Sequence, residues 1–207
     1  MTSDDWARIA AIIPSIVLHE VSHGAVANHF GDDTAKRAGR LTLNPIAHVD
    51  LFGTIILPVL MALTSLGAFG YAKPVPVNPR KLRNPRQHSF YVSLAGPGTN
   101  IALALAAALV LRIAYPGVLV EPHLAVVPLL LFWLGFVNVV LAVFNLLPIP
   151  PLDGSAFVER ILPNAWWPTW LRFRQYGFGI LLLVMLMLPG SLNRVFEPAL
   201  RQWGRLL

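Results

Sequence analysis

IAAIIPSIVLHEVSHGAVANHF, residues 9–30, is apolar enough to cross a membrane and also holds His19, Glu20 and His23 in an H-E-x-x-H arrangement. On a helix, positions i and i+4 share a face, so the two imidazoles can grip one metal ion. Glu20 projects beside them and can take a proton from a water that the metal activates. An ionisable group at membrane depth is costly, and it marks function by default. The bland alternative is a pair of core histidines hydrogen-bonding across helices. Soluble metalloproteins carry the same motif, but they do not bury it in hydrocarbon, so location counts as much as pattern.

Working outward, the chain has 207 residues, of which 56% are hydrophobic and only 13% charged, with a mean hydropathy of +0.62. A soluble domain carries roughly a quarter charged residues, so the composition indicates an integral membrane protein. The length suits one domain over 1–207, with a core at about 6–160 and a C-terminal helix and interfacial tail at 165–207. No internal repeat, low-complexity tract or appended soluble domain stands out. With no Cys, thiolate ligands are excluded, and a metal must be held by His and carboxylate. The net charge of +6 does not point to nucleic acid, because the basic residues flank apolar segments and fit positive-inside orientation. The opening MTSDDW lacks a basic n-region, so a cleaved leader is not expected.

Apolar segments fall at 6–30, 51–70, 90–113, 124–147 and 176–189, against the roughly 20 residues needed to span a bilayer. The last is short and can recruit part of 166–174. The expected fold is therefore an all-α polytopic bundle of about four to five transmembrane helices. At the C-terminus Leu192, Val195, Phe196, Leu200 and Trp203 recur at helical spacing among Arg194, Arg201 and Arg205. Such a helix can lie in the membrane interface or pack on the bundle; the pattern leaves both open.

A catalytic zinc usually takes three protein ligands and keeps one open position. FNLLPIPPLDG, residues 144–154, offers Asp153 as the third, after a proline-broken helix end. The competing reading is a turn residue, since Asp-Gly favours turns. If Asp153 meets the two histidines, the first and fourth segments run in the same direction and the third runs opposite. Segment 51–70, interrupted by Pro58, must then re-enter rather than cross. Lys36, Arg37, Arg40, Lys73, Arg80, Lys81, Arg83, Arg86 and Arg160 would all lie on the cytoplasmic side, as positive-inside orientation requires. Asn145 can hydrogen-bond a substrate carbonyl or simply satisfy backbone at the helix end.

LHEVSHG (18–24), AGPGTN (95–100) and FNLLPIPPLDG (144–154), in this order, resemble the site-2 proteases, the intramembrane zinc metalloproteases of the peptidase M50 type. RLTLNPIAHVDLFGTIILP (40–58) and GYAKPVPVNPRKLRNP (70–85) are similar to the compact bacterial branch, without PDZ or CBS domains. The resemblance covers roughly residues 10 to 160. It implies one Zn2+ per chain on His19, His23 and Asp153, with Glu20 activating water. It further implies Asn145 and Asn100 near the substrate, and a small β-hairpin-like element around GYAKPVPVN that presents substrate through Val75 and Val77. The implied activity is hydrolysis of peptide bonds in or near transmembrane segments of single-span membrane proteins, in regulated intramembrane proteolysis. The implied setting is a bacterial inner membrane with the site toward the cytoplasm. AGPG can also serve only as tight helix packing through small residues. Two other functions remain in view: a catalytically silent relative that restrains membrane partners, and a metal transporter. IALALAAALVL (101–111) offers no polar path for the latter.

Overall fold

The structure, a computed structural model, describes residues 3–56, 72–117, 125–187 and 191–207. Three helices are long and apolar enough to cross a membrane: α1 (Ser3–His29), α3 (Pro85–Ala114) and α4 (Val126–Asn145). A short α2 (Thr34–Arg37) follows α1. Local signals set these ends. Asp4 and Asp5 occupy the first turn of α1, where the positive end of the helix dipole favours carboxylates. Gly31, at φ +104°, closes that helix, a backbone conformation suited to glycine. The Asn84 side chain accepts from Gln87 N–H, with Pro85 at the first helical position.

The three helices pack on one another, and cross-links fix their directions. His23 of α1 bonds to Val92 near the start of α3, while His19 bonds to Asn100, further along it. α3 is thus antiparallel to α1. Asn138, deeper in α4, sits level with Ser15, and Asn145 lines the same cavity as His19 and His23, so α4 runs parallel to α1. This is the arrangement expected from a meeting of Asp153 with the histidines.

The bundle is apolar outward and small or polar inward. Ile9, Ile12, Ile13, Ile101, Leu105, Leu109, Val126 and Val127 are exposed, whereas Ala104, Ala107, Ala108, Ser15, Asn100 and Asn138 are buried. Lipid supplies no hydrophobic drive for helix association, so small residues that let backbones approach, and polar groups that bond across helices, do that task. The protein is accordingly an integral membrane protein.

Beyond Asp153 come α5 (Ser155–Ile161), α6 (Trp167–Gln175), α7 (Gly177–Met187) and α8 (Ser191–Gly204). α6 and α7 break at Tyr176, so the described residues 167–187 do not form one continuous helix, and the described part of α7 is shorter than the roughly 20 residues of a span. The expected re-entrant segment 51–70 falls largely outside the described residues; its described part, Leu51–Ile56, is helical. No strand forms among the described residues. Of the hairpin-like element expected around 70–78, residues 72–78 carry no helix or strand and run extended, with Lys73 and Val75 each held so by the proline that follows; 70 and 71 lie outside the description.

The C-terminal helix packs on the bundle. Trp203 is buried, packs with Ala104, Ala108 and Val139, and donates its indole N–H to the Ala104 carbonyl at 3.0 Å. A Cβ on Gly135 would run into its ring. These contacts fall within the second half of α3 and about the middle of α4, so α8 docks on the flank of the bundle. Trp203→Ala should destabilise that docking by about 3 kcal/mol, at the low end for aromatic truncation because detergent or lipid covers the freed surface. Gly135→Val should do the same by collision. Faster tryptic cleavage at Arg201 and Arg205 in both variants is the expected readout; unchanged protection would count against the docking.

Candidate metal centre

His19 and His23 sit one turn apart on the face of α1 that meets α3. Their ring centroids are 4.7 Å apart and the rings are nearly perpendicular. His23 Nδ1 lies 2.7 Å from the Val92 carbonyl. A carbonyl only accepts, so this nitrogen carries the proton, and Nε2 presents its lone pair inward. His19 Nδ1 lies 2.6 Å from Asn100 Oδ1 and is held the same way.

The two Nε2 atoms are 3.1 Å apart, and Asp153 Oδ2 lies 3.2 Å from His19 Nε2 and 3.3 Å from His23 Nε2. Asp153 Oδ2 is buried and accepts no hydrogen bond of acceptable geometry. A simple histidine–carboxylate pair would aim an N–H at it; neither ring does. Three acceptors thus face one point with no proton among them, which is costly at membrane depth unless a cation lies there. The spacing fits zinc. Bond lengths near 2.0–2.1 Å in a tetrahedron place ligand atoms about 3.3–3.4 Å apart. Among the described residues, these three form the group able to hold a metal ion.

Two glycines let the elements come this close. A Cβ on Gly96 of α3 would lie 2.5–2.6 Å from the His19 and His23 rings. Gly154 has an ordinary helical φ of −60°, so conformational freedom is not its use. Its reason is space, because a Cβ there would overlap the Leu146 carbonyl. The contact is locked where Gly154 N–H donates to the Asn145 carbonyl at 2.6 Å, folding the loop 146–153 back under α4. Arg86 then caps α5, giving Nη2 to the carbonyls of Glu159, Arg160 and Leu162 at 3.3, 3.1 and 2.6 Å.

Glu20 Oε2 accepts from Val75 N–H at 2.9 Å. Val75 belongs to the extended run 72–78, which side chains clamp along its length. Arg40 donates to the carbonyls of Lys73 (2.8 Å), Pro74 and Ala47. Asp32, fully buried, accepts from the Thr34 hydroxyl, from Thr34 N–H at 3.1 Å and from Asn78 N–H at 2.5 Å. Burial pushes the Asp32 carboxyl up, but the bonds from Thr34 and Asn78 and the nearby Lys81 charge outweigh it and hold its pKa below the usual range. A depressed carboxyl stabilises fully above its unfolded pKa of about 4 and loses that contribution as pH falls through the lower folded value, so the clamp holds at neutral pH.

A cavity of about 670 Å³ brings together His19, Glu20, His23, Asn145 and Asp153, with Val75 and Val77 on its wall. Asn145 spends one Nδ2 hydrogen on the Leu141 carbonyl at 3.0 Å, leaving the other and Oδ1. Asn100 is placed differently from the expectation of a substrate contact. It has no exposed surface, and its amide is taken by His19, Asn138 and Ser15. His48 is buried, with Nε2 bonded to the Thr42 carbonyl at 2.9 Å. Sequence reading missed Gly96, Ser15 and Asn138. Asn138 had a signal, as a lone amide within FWLGFVNVVLAVF; Gly96 had only the AGPG motif, which packing alone explains.

The fold and the site together define an integral membrane helical bundle with a candidate two-histidine, one-carboxylate metal centre. Residues 7–123 and 123–188 match the profile of Peptidase family M50. The chain is 41% identical over 186 residues, 88% of its length and 81% of the relative's, to "Putative zinc metalloprotease YwhC" of Bacillus subtilis. It is 36% identical over 188 residues (91% and 69%) to "Putative zinc metalloprotease Rip2" of Mycolicibacterium smegmatis. It is 29% identical over 155 residues (73% and 68%) to "Putative zinc metalloprotease MJ0611" of Methanocaldococcus jannaschii. No solved structure gives a significant match. The chain belongs to peptidase family M50, the site-2 protease family of metalloproteases. If Gly96 is the hole that the imidazoles fill, Gly96→Ala should weaken zinc affinity at least about tenfold, the lower bound for disturbing a ligand's support; wild-type affinity by chelator competition would contradict it.

Proposed function

We propose that this chain is a zinc-dependent intramembrane endopeptidase that cleaves single-span membrane proteins in or near their transmembrane segments. The observation that carries it is the convergence of His19, His23 and Asp153 at 3.1–3.3 Å, with Glu20 in the same cavity between spanning helices. One zinc per chain fits this ligand set. Bound there, zinc would supply a Lewis acid, bringing the pKa of water to about 7 and polarising the scissile carbonyl.

The chain's own groups account for the rest. Val75 N–H holds one carboxylate oxygen of Glu20, which leaves the other to take a proton from the attacking water and pass it to the leaving amine. Asn145 offers a donor toward the developing oxyanion. Substrate would lie extended beside 72–78, contacting Val75 and Val77, with Pro74 and Pro76 suiting an edge. The basic residues of 36–40, 73 and 80–86 flank the His29 end of α1 and the start of α3, which supports the reading that this end faces the cytoplasm, in what we take to be a bacterial inner membrane.

Zinc per chain in detergent-purified protein, after a mild chelator wash, is the deciding measurement. Near-stoichiometric zinc in wild type and loss in Asp153→Ala is expected. Glu20→Gln should keep its zinc and lose hydrolysis about 10²–10⁴-fold, as for removal of a general base. Equal zinc in Asp153→Ala removes that ligand, and no zinc in any form favours the silent, partner-restraining relative. Because a helical carbonyl is bonded and shielded, a helix-breaking residue in a substrate's membrane segment should speed cleavage; equal cleavage of a rigid Leu-rich segment would contradict the extended-substrate pose.

A further inference from the structure

Behind His19 stands a line of buried polar groups that contact with a metal does not explain. Asn100 Oδ1 meets His19 Nδ1 at 2.6 Å, and Asn100 Nδ2 donates to Asn138 Oδ1 at 2.6 Å. Asn138 Nδ2 donates to Ser15 Oγ at 2.7 Å and to the Leu134 carbonyl at 2.8 Å. Ser15 Oγ ends the line by donating to the Ala11 carbonyl at 2.7 Å. Asn100, Asn138 and Ser15 have no exposed surface and come from three different helices. Asn138 lies twelve residues into α4, or about 18 Å, close to the middle of a hydrocarbon layer about 30 Å thick.

The line has a direction, and main-chain chemistry sets it. The Leu134 and Ala11 carbonyls can only accept. Leu134 therefore draws Nδ2 of Asn138 toward itself, which turns Oδ1 toward Asn100. Asn100 must meet that oxygen with Nδ2, so its own Oδ1 faces His19. The imidazole must answer with a proton on Nδ1, and its Nε2 lone pair is left facing His23 and Asp153. Reversing any link would set donor against donor or acceptor against acceptor where no water can intervene. His23 needs no such relay, because Val92 offers it a carbonyl directly.

We propose that Asn138, backed by Ser15, is a positioning residue that sets the His19 tautomer through Asn100 and so readies Nε2 for metal. The proposal rests on reading His19 as a ligand, and deepens it. The test uses the full chain in detergent with ¹⁵N-labelled histidine, comparing wild type, Asn138→Leu, Asn138→Asp and Ser15→Ala. Two quantities are read: the His19 ring ¹⁵N shifts of the metal-free protein, and Zn2+ affinity by chelator competition. Wild type should show the Nδ1–H tautomer. Asn138→Leu removes the relay at similar volume; it should populate Nε2–H and weaken zinc about 10–100-fold, as loss of an orienting partner does. Asn138→Asp, neutral when buried, keeps a carbonyl for Asn100 and a hydroxyl for Leu134 or Ser15, and should retain tautomer and affinity.

Ser15→Ala, a gentler change should the Leu variant fold poorly, should move both readouts the same way by less. Wild-type tautomer and affinity in both the Leu and Ala variants would overturn the proposal, as would an Asp variant as impaired as the Leu variant. Wild type that binds no zinc overturns the ligand reading itself; a tautomer shift in the Leu variant would still uphold the relay.

Discussion

Two imidazole nitrogens and a carboxylate oxygen point at each other across 3.1–3.3 Å, inside a bundle whose outer face is made of Ile and Leu. Such an arrangement is unfavourable by itself, because each lone pair repels the others where little solvent screens them. Much of the surrounding structure holds that meeting in place. α1 supplies two acceptors at helical spacing, α3 supplies the bonds that turn them inward, and the loop after α4 supplies the third. None of these elements could create the convergence alone. A cation at its centre would turn the least favourable contact in the protein into its tightest link, joining α1 to the chain beyond α4.

Close approach is what makes the convergence possible, and it is obtained by removing side chains. Gly96 leaves room for both imidazoles, and Gly154 lets the Asp153 loop fold against the end of α4. Gly135 receives the Trp203 ring. In lipid, dispersion contacts and cross-helix hydrogen bonds replace the hydrophobic drive of a soluble core. That explains why small residues face inward and the large aliphatic ones face out. Trp203 reconciles the charges of α8 with the membrane: one aromatic anchor docks the helix while Arg201 and Glu197 pair along its exposed side.

The parts legible in the sequence are those encoded by short spacing. His19, Glu20 and His23 are fixed relative to one another by one helical turn, and Asp153 by the proline-broken end of an apolar segment. Their meeting even foretold that α1 and α4 run parallel. What could not be read depends on which helix faces which. The family resemblance implies Asn100 near the substrate, yet its depth in α3 places it behind His19. The Asp-Gly pair reads as a sharp turn, yet the φ of Gly154 is ordinary and a neighbouring carbonyl demands the glycine. The boundary at Tyr176 is legible as the start of the last apolar segment; what the pattern leaves open is whether 166–174 joins it, and the helix break between Gln175 and Gly177 keeps the two apart, where Gly177 and Gly179 weaken a continuous helix.

The extended run 72–78 ties the site to the basic loops. Pro74 and Pro76 remove donors from it, so it cannot be an inner strand. Side chains take over the role of a neighbouring strand: Asp32 at Asn78, Arg40 at Lys73 and Pro74, and Glu20 at Val75. The last of these is the consequential one. The residue that sits beside the candidate ligands without joining them is held by the same segment whose valines line the cavity. The position of the carboxylate and the shape of the wall are therefore not independent. Any displacement of 72–78 shifts a hydrogen bond to Glu20, whereas His19 and His23 are braced from the opposite side by α3. In the proposed reaction, then, the base would respond to what occupies the cavity wall while the ligand cage stays rigid.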